Sequence, residues 1–275
     1  MRSIFVPLAV LPLALLLGAC GRQSAREPGL EWNGAPIPVT ARQNHPNEEA
    51  LKGRNLEVLE GHPPKRILEI ASGDWGDSLV LLEYPGEEEA YAGFQELAPN
   101  SEDLAAYSVH GDRVCFRRGR WIGTLDAMSW KGADGFDRAL ALPGAPSPGG
   151  LPKVFGSLLY RNRIPGSERI LTREFLGLKF SSRVFSVGMD CHGDTARLYA
   201  AGKINDEFII ALAGLPGWRS ESVSGVRQFS SESSEMLPVV LRFTRGGMVA
   251  VEGCFDDSLT NYWLKIQARG LKSLK

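Results

Sequence analysis

The chain has 275 residues, 31 Lys plus Arg against 32 Asp plus Glu, and 43% hydrophobic side chains. A formal net charge of −1 leaves no electrostatic footprint for nucleic acid, and the apolar share excludes wholesale disorder. Four Cys in a chain this long are too few for a disulfide-built miniprotein, so one large or two small folded domains are expected.

Residues 4–17 form an almost wholly apolar run after the single cation Arg2. At roughly 14 residues, and broken by Pro7 and Pro12, the run is too short to span a bilayer and reads as a signal h-region. The junction Leu17-Gly18-Ala19-Cys20 resembles the bacterial lipobox. There two small residues let a peptidase accept an extended backbone, and the following thiol takes the diacylglyceryl group. The reading implies a signal peptide over residues 1–19, an acylated Cys20 as mature N-terminus, and a protein anchored to a membrane without spanning it. Several acyl chains, at about 0.8 kcal/mol per buried methylene, hold such an anchor stably. Gly21, in place of the Asp that retains lipoproteins at the inner membrane of diderm bacteria, points to the periplasmic face of the outer membrane.

Residues 20–64 are rich in Pro, Gly, Asn, Arg and Glu and predict a lipid-anchored tether with one helical turn within 48–59, able to hold the folded part roughly 35 Å from the lipid. A first block, 65–145, follows. Short Leu/Ile/Val runs at 66–71 and 78–84 predict strands around a turn at Gly73-Asp74-Trp75-Gly76-Asp77. Glu87, Glu88 and Glu89 open a helix carrying Ala90, Tyr91, Phe94 and Leu97 at helical spacing. Strands at 105–110, 113–118 and 120–127 come next, with Gly119 in a hairpin turn, then an amphipathic segment at 134–142. Four Pro and three Gly within 143–152 mark a boundary.

The second block, 153–275, repeats much of this order. Asp190-Cys191-His192-Gly193-Asp194-Thr195 parallels the earlier turn and leads into a strand at 196–200. Asn205-Asp206-Glu207 predicts a helix cap before Phe208, Ile209 and Leu212. Strands at 238–244 and 248–254 flank Arg245-Gly246-Gly247, and a final helix places Leu259, Tyr262, Trp263 and Ile266 on one face. The expected fold class is α+β, two similar β-rich sheet-plus-helix blocks related by an internal duplication.

The segment Arg161-Asn162-Arg163-Ile164-Pro165-Gly166-Ser167-Glu168-Arg169-Ile170, followed by Glu174-Phe175-Leu176-Gly177, resembles a bacterial family catalogued as domain of unknown function 6599. Glu89-Ala90-Tyr91-Ala92-Gly93-Phe94, Arg118-Gly119-Arg120-Trp121 and Arg245-Gly246-Gly247-Met248 resemble its other short motifs. The resemblance covers roughly residues 65–270. It implies an exported, lipid-anchored protein and carries no catalytic residues.

The chemistry-bearing cluster is Asp190, Cys191, His192 and Asp194, whose carboxylates, thiol and imidazole could serve as metal ligands or a Cys/His pair. No second cluster accompanies it, so a surface turn with a structural Cys is the expected state and neither metal nor cofactor is called for. With Cys20 acylated, Cys115, Cys191 and Cys254 remain, and Cys191 with Cys254 is the expected disulfide of an oxidising compartment. Glu87, Glu88 and Glu89 read as a solvated helix start rather than a Ca²⁺ site, because consecutive helical positions diverge. Arg117, Arg118 and Arg120 beside Trp121 read as a hairpin edge, with an anionic lipid or glycan as the alternative ligand. Neither Ser167-Glu168-Arg169 nor the Ser-rich run at 230–234 shows a nucleophile-elbow pattern. The expected function is a lipid-anchored binding or interaction module for an envelope protein or glycan, leaning away from catalysis. The alternative is an envelope enzyme using Cys191 and His192 as nucleophile or metal ligands.

Overall fold

The computed structural model describes residues 25–32, 34–70, 79–98, 107–110, 113–126, 140–143, 151–158, 162–180, 182–231 and 237–271. Two large antiparallel sheets dominate them, making the chain a β-rich α+β protein. Cys20 and the expected signal segment, the expected turn at 73–77, residues 134–139 and most of the Ser-rich run, 232–234, lie outside the described residues.

The first sheet contains β3 (Ala41–Asn44), β4 (Arg66–Ile70), β5 (Leu79–Glu83), β6 (Tyr107–His110), β7 (Arg113–Arg118) and β8 (Trp121–Asp126), in the order β3-β4-β5-β8-β7-β6. Its central strands are near-continuous aliphatic runs because both faces are covered. One face packs on a small sheet of β2 (Ala35–Val39), β1 (Ala25–Trp32) and β9 (Leu140–Ala141), where Leu30, Ile37 and Val39 meet Leu68, Leu81 and Trp121. The other face receives α1 (Glu48–Lys52) and α2 (Glu87–Leu97), with Leu51, Ala90 and Phe94 against Leu82 and Ile122.

The second sheet is built from β10 (Arg169–Leu171), β13 (Val184–Cys191), β14 (Asp194–Ala201), β15 (Trp218–Val223), β16 (Val226–Ser231), β17 (Val239–Thr244) and β18 (Gly247–Glu252), ordered β10-β13-β14-β18-β17-β16-β15. A small hairpin, β11 (Glu174–Phe175) with β12 (Leu178–Lys179), joins α3 (Asp206–Ala213) over one face, where Phe175, Phe180, Tyr199 and Phe208 cluster. The opposite face takes α4 (Asp257–Gly270), capped by Asp256, whose Oδ1 accepts from Leu259 N at 3.0 Å. At the β17–β18 turn Gly247 has φ +139°, and a Cβ there would lie 2.1 Å from the carbonyl oxygens of Ala201 and Gly202, so the backbone approach requires glycine.

Several expectations are corrected. The predicted tether at 20–64 is folded from residue 25, because β1 and β2 pair with each other and β3 pairs with β4. Pro36 and Pro38 are tolerated because β2 is an edge strand, where a missing N–H breaks no inner ladder. In the predicted amphipathic segment, Leu140 and Ala141 form a strand that hydrogen-bonds β1. The predicted turn at 190–195 shrinks to His192-Gly193, with φ of 57° and 93°, because Cys191 already pairs with Asp194. Asn205 sits at the N-cap of α3 without a side-chain capping bond. On α4 the buried face is Thr260, Trp263, Leu264 and Gln267, while Tyr262 turns outward.

Candidate functional site

Helix α2 belongs to both halves of the molecule. Its Ala90 and Phe94 pack into the first sheet's core, and Tyr91 and Ala92 into that of the second. Gln95 docks this helix on the free edge of β10. Its Nε2 donates to Glu168 O at 3.1 Å, and its Oε1 accepts from Ile170 N at 3.0 Å. Tyr91 also donates to Glu168 O, at 3.3 Å, and stacks beneath the Arg117 guanidinium at 5.1 Å from the ring centroid. The buried Glu168 carboxylate is met by Arg163 Nε at 3.1 Å. Burial pushes the Tyr91 hydroxyl well above its ordinary pKa, with the Glu168 charge adding to it. The segment carrying Arg163, Glu168 and Arg169 is thus the seam between the two sheets.

Beside the seam opens a cleft of about 570 Å³, lined by His62, Tyr84, Glu88, Thr172, Arg183 and Lys203 among others. It draws on both halves. His62 follows a 3-10 turn (Glu57–Gly61), Glu88 and Glu89 lie in the first turn of α2, Arg183 enters β13, and Lys203 leaves β14. Arg183 pairs with both Glu88 and Glu89, bridging the halves across the cleft. The Arg173 side chain occupies the space over Gly61, where a Cβ would lie 1.3 Å from its Nη2. Ser182 Oγ donates to Lys203 O at 2.6 Å, closing one wall.

Thr172 Oγ1 lies 3.0 Å from His62 Nε2, and Glu96 Oε1 lies 3.6 Å from the same nitrogen. Hydroxyl and carboxylate therefore compete for one imidazole nitrogen, whereas nucleophilic catalysis needs the base to hold one with each nitrogen. Burial lowers the His62 pKa, Glu96 opposes the shift, and Arg173 reinforces it. Because the folded state resists a proton that the unfolded chain accepts near the ordinary value of 6.5, stability is full above that pH and falls as the pH drops through and below it. His62→Gln is expected to flatten this acid limb, which urea unfolding at about pH 7.5 and about pH 5.5 measures.

The residues singled out from sequence are scattered. Cys191 and Cys254 form a disulfide, Cα to Cα 5.9 Å, so Cys191 has no thiolate to act as nucleophile or ligand. His192 is 72% exposed on the hairpin tip, and its Nε2 lies 2.9 Å from Asp256 Oδ2. Hydrogen bonds hold the Asp256 carboxyl below its ordinary pKa, the largest from Leu259 N–H, then those from His192 and Ser258 N–H. Asp190 Oδ1 accepts from Gly193 N at 2.8 Å, an intra-turn bond. Among the described residues no group of three or more His, Cys, Asp or Glu could hold a metal. The expected solvated helix start is corrected: Glu88 and Glu89 hold Arg183, and Glu87 Oε1 accepts from Lys153 N at 3.2 Å. Arg117 and Arg118 are buried, Arg118 donating to Leu140 O, and Arg120 pairs with Glu83 at 2.9 Å beside Trp121. Ser167 Oγ accepts from Gly188 N at 2.7 Å, a structural tie. Cys115 is buried in the first sheet's core, outside the disulfide.

Sequence reasoning missed His62, Thr172, Arg183 and Lys203, which come from four separated loops and form no local motif. No family model, no characterised protein and no solved structure matches the chain. Among the described residues no helix is long and apolar enough to cross a membrane.

Proposed function

We propose that the chain is a lipid-anchored envelope protein, acylated at Cys20 on the periplasmic face of the outer membrane, that binds an envelope protein or glycan through the cleft between its two halves. The observation that carries the reading is Leu17-Gly18-Ala19-Cys20 at the end of a signal-length apolar run. The Cys191–Cys254 disulfide supports export, since such bonds persist in oxidising compartments. A cleft at the junction of two folded halves, with two acids, two cations, hydroxyls and an apolar wall at Phe185, suits a polar ligand held by a few directed bonds.

We propose also that the halves arose by duplication. In each, a β-hairpin (β4-β5, β13-β14) leads through a helix to an antiparallel run whose last strand returns to pair with the hairpin's second strand. The resemblance to family 6599 belongs to the same proposal, and its longest motif, Arg161 to Ile170, contains the seam residues Arg163, Glu168 and Arg169.

Fractionation of cells expressing the full chain tests the anchor. Cys20→Ser is expected to move the protein from the membrane to the soluble fraction and to abolish the acyl mass; retention of either overturns the lipoprotein reading. Crosslinking in intact cells tests the binding role. Arg183→Ala with Lys203→Ala is expected to lose the crosslinked species that the parent yields, and a parent that yields none counts against the module.

A further inference from the structure

We infer that two copies of the chain join edge to edge through β15, antiparallel about a two-fold axis at Ser220, into one continuous sheet. Strand β15 ends the second sheet, and among the described residues only β16 pairs with it. The other described edges are short or blocked. Strand β2 carries Pro36 and Pro38, β3 and β6 have four residues each, β9, β11 and β12 have two, and β10 gives Ile170 N to Gln95 of α2. By contrast β15 has six residues in unbroken register with β16, four of them exposed, and neither Pro nor a bulge interrupts it.

The hairpin turn sets which backbone groups face outward. Ser224 and Gly225, at φ 54° and 75°, form a two-residue turn whose flanking Val223 and Val226 stand opposite each other. The turn closes with a bond between those two residues, and the ladder alternates from there, so Glu221 and Arg219 bond inward to Gln228 and Ser230. The N–H and C=O groups of Trp218, Ser220 and Ser222 therefore point out of the sheet edge.

Charge then selects the register. Arg219 and Glu221 share one face of β15, and Glu221 Oε1 accepts from Gln228 Nε2 at 2.7 Å, which holds the carboxylate over that face. An axis at Arg219 sets Arg219 against its own copy, and one at Glu221 does the same for Glu221, like charges face to face. An axis at Ser220 sets Arg219 opposite Glu221 twice. It also pairs all the outward residues, Trp218 with Ser222 and Ser220 with Ser220. The axis is perpendicular to the sheet, so both copies of α3, the helix packed on β15, lie on one face of the joined sheet, each bringing Ile210, 71% exposed, to that face. The cleft residues Arg183 and Lys203 adjoin β13 and β14, and β14 lies four strands from β15, about 19 Å at 4.8 Å per strand. Both clefts stay open, and the dimer presents two to one extended ligand.

Light scattering of the full chain in mild detergent, over a concentration series, is expected to show a monomer–dimer equilibrium. Ser220→Pro removes an outward N–H that no inner ladder uses, so the fold tolerates it and the chain is expected to stay monomeric throughout. Arg219→Glu sets Glu against Glu twice and is expected to raise the dissociation constant at least about tenfold. Arg219→Glu combined with Glu221→Arg exchanges the signs and is expected to restore the parent constant to within about threefold. A parent that is monomeric across the series, a dimer that Ser220→Pro leaves intact, or a double exchange as weak as the single one overturns the inference.

Discussion

Exchange of both Cys191 and Cys254 for Ser is expected to lower the unfolding free energy by about 4 kcal/mol, from the loop-closure entropy of a cross-link spanning 63 residues. The bond ties the tip of the β13–β14 hairpin to the residue that connects β18 with α4. Strands β14 and β18 pair beside it from Arg197–Glu252 to Ala201–Met248, so native pairing persists without the disulfide and the loss appears mainly as freedom gained by the unfolded chain. Urea unfolding of parent and variant, each with and without reductant, measures it. The parent is expected to fall to the variant's stability on reduction, and the variant to be indifferent to reductant. A parent that unfolds identically in both conditions would remove the disulfide from the stability of the second half.

Phe155→Ala is expected to cost about 3–5 kcal/mol. Phe155 is fully buried in the 3-10 turn (Lys153–Ser157), 5.4 Å from the Tyr91 ring of α2 and 6.0 Å from Phe185 of β13. Its truncation opens a cavity between an element of the first half and one of the second, so the penalty falls on their coupling as well as on core burial. Native-state hydrogen exchange is expected to show α2 and β10 losing protection ahead of either sheet's central strands. Phe155→Leu, which keeps most of the volume, is expected to cost less than half as much. Uniform loss of protection across both sheets in Phe155→Ala would show that Phe155 does not couple the halves.

Much of the secondary structure was legible because it is written locally. The runs that became β4, β5, β7, β8, β17 and β18 are short, branched and bounded by Gly-containing turns, and such signals need no distant partner. Helix α2 was legible from its acidic start and its apolar positions at Ala90, Tyr91 and Phe94. Strands β15 and β16 escaped because Trp218–Val223 and Val226–Ser231 are mostly polar, and their pairing is made by backbone groups that leave no side-chain period. The candidate site was barely legible. Glu88 and Glu89 were visible as a helix start, but their partner Arg183 stands about 95 positions away in the chain and no spacing rule links them.

From sequence alone came the balanced charge, the hairpin turns, the expected pairing of Cys191 with Cys254, and the proposals of an export segment and of a lipobox at Cys20. These rest on composition, short spacing and thiol arithmetic, which act within a few residues or exclude all but a few options. Tertiary structure decided that the Pro-rich stretch after Cys20 is folded, because an edge strand accepts Pro36 and Pro38 once β1 supplies the ladder. It also decided that Arg117 and Arg118 are buried and that Arg120 pairs with Glu83, because their partners Tyr91, Leu140 and Glu83 come from other elements. The cleft follows from those same long-range pairings, which no local pattern records.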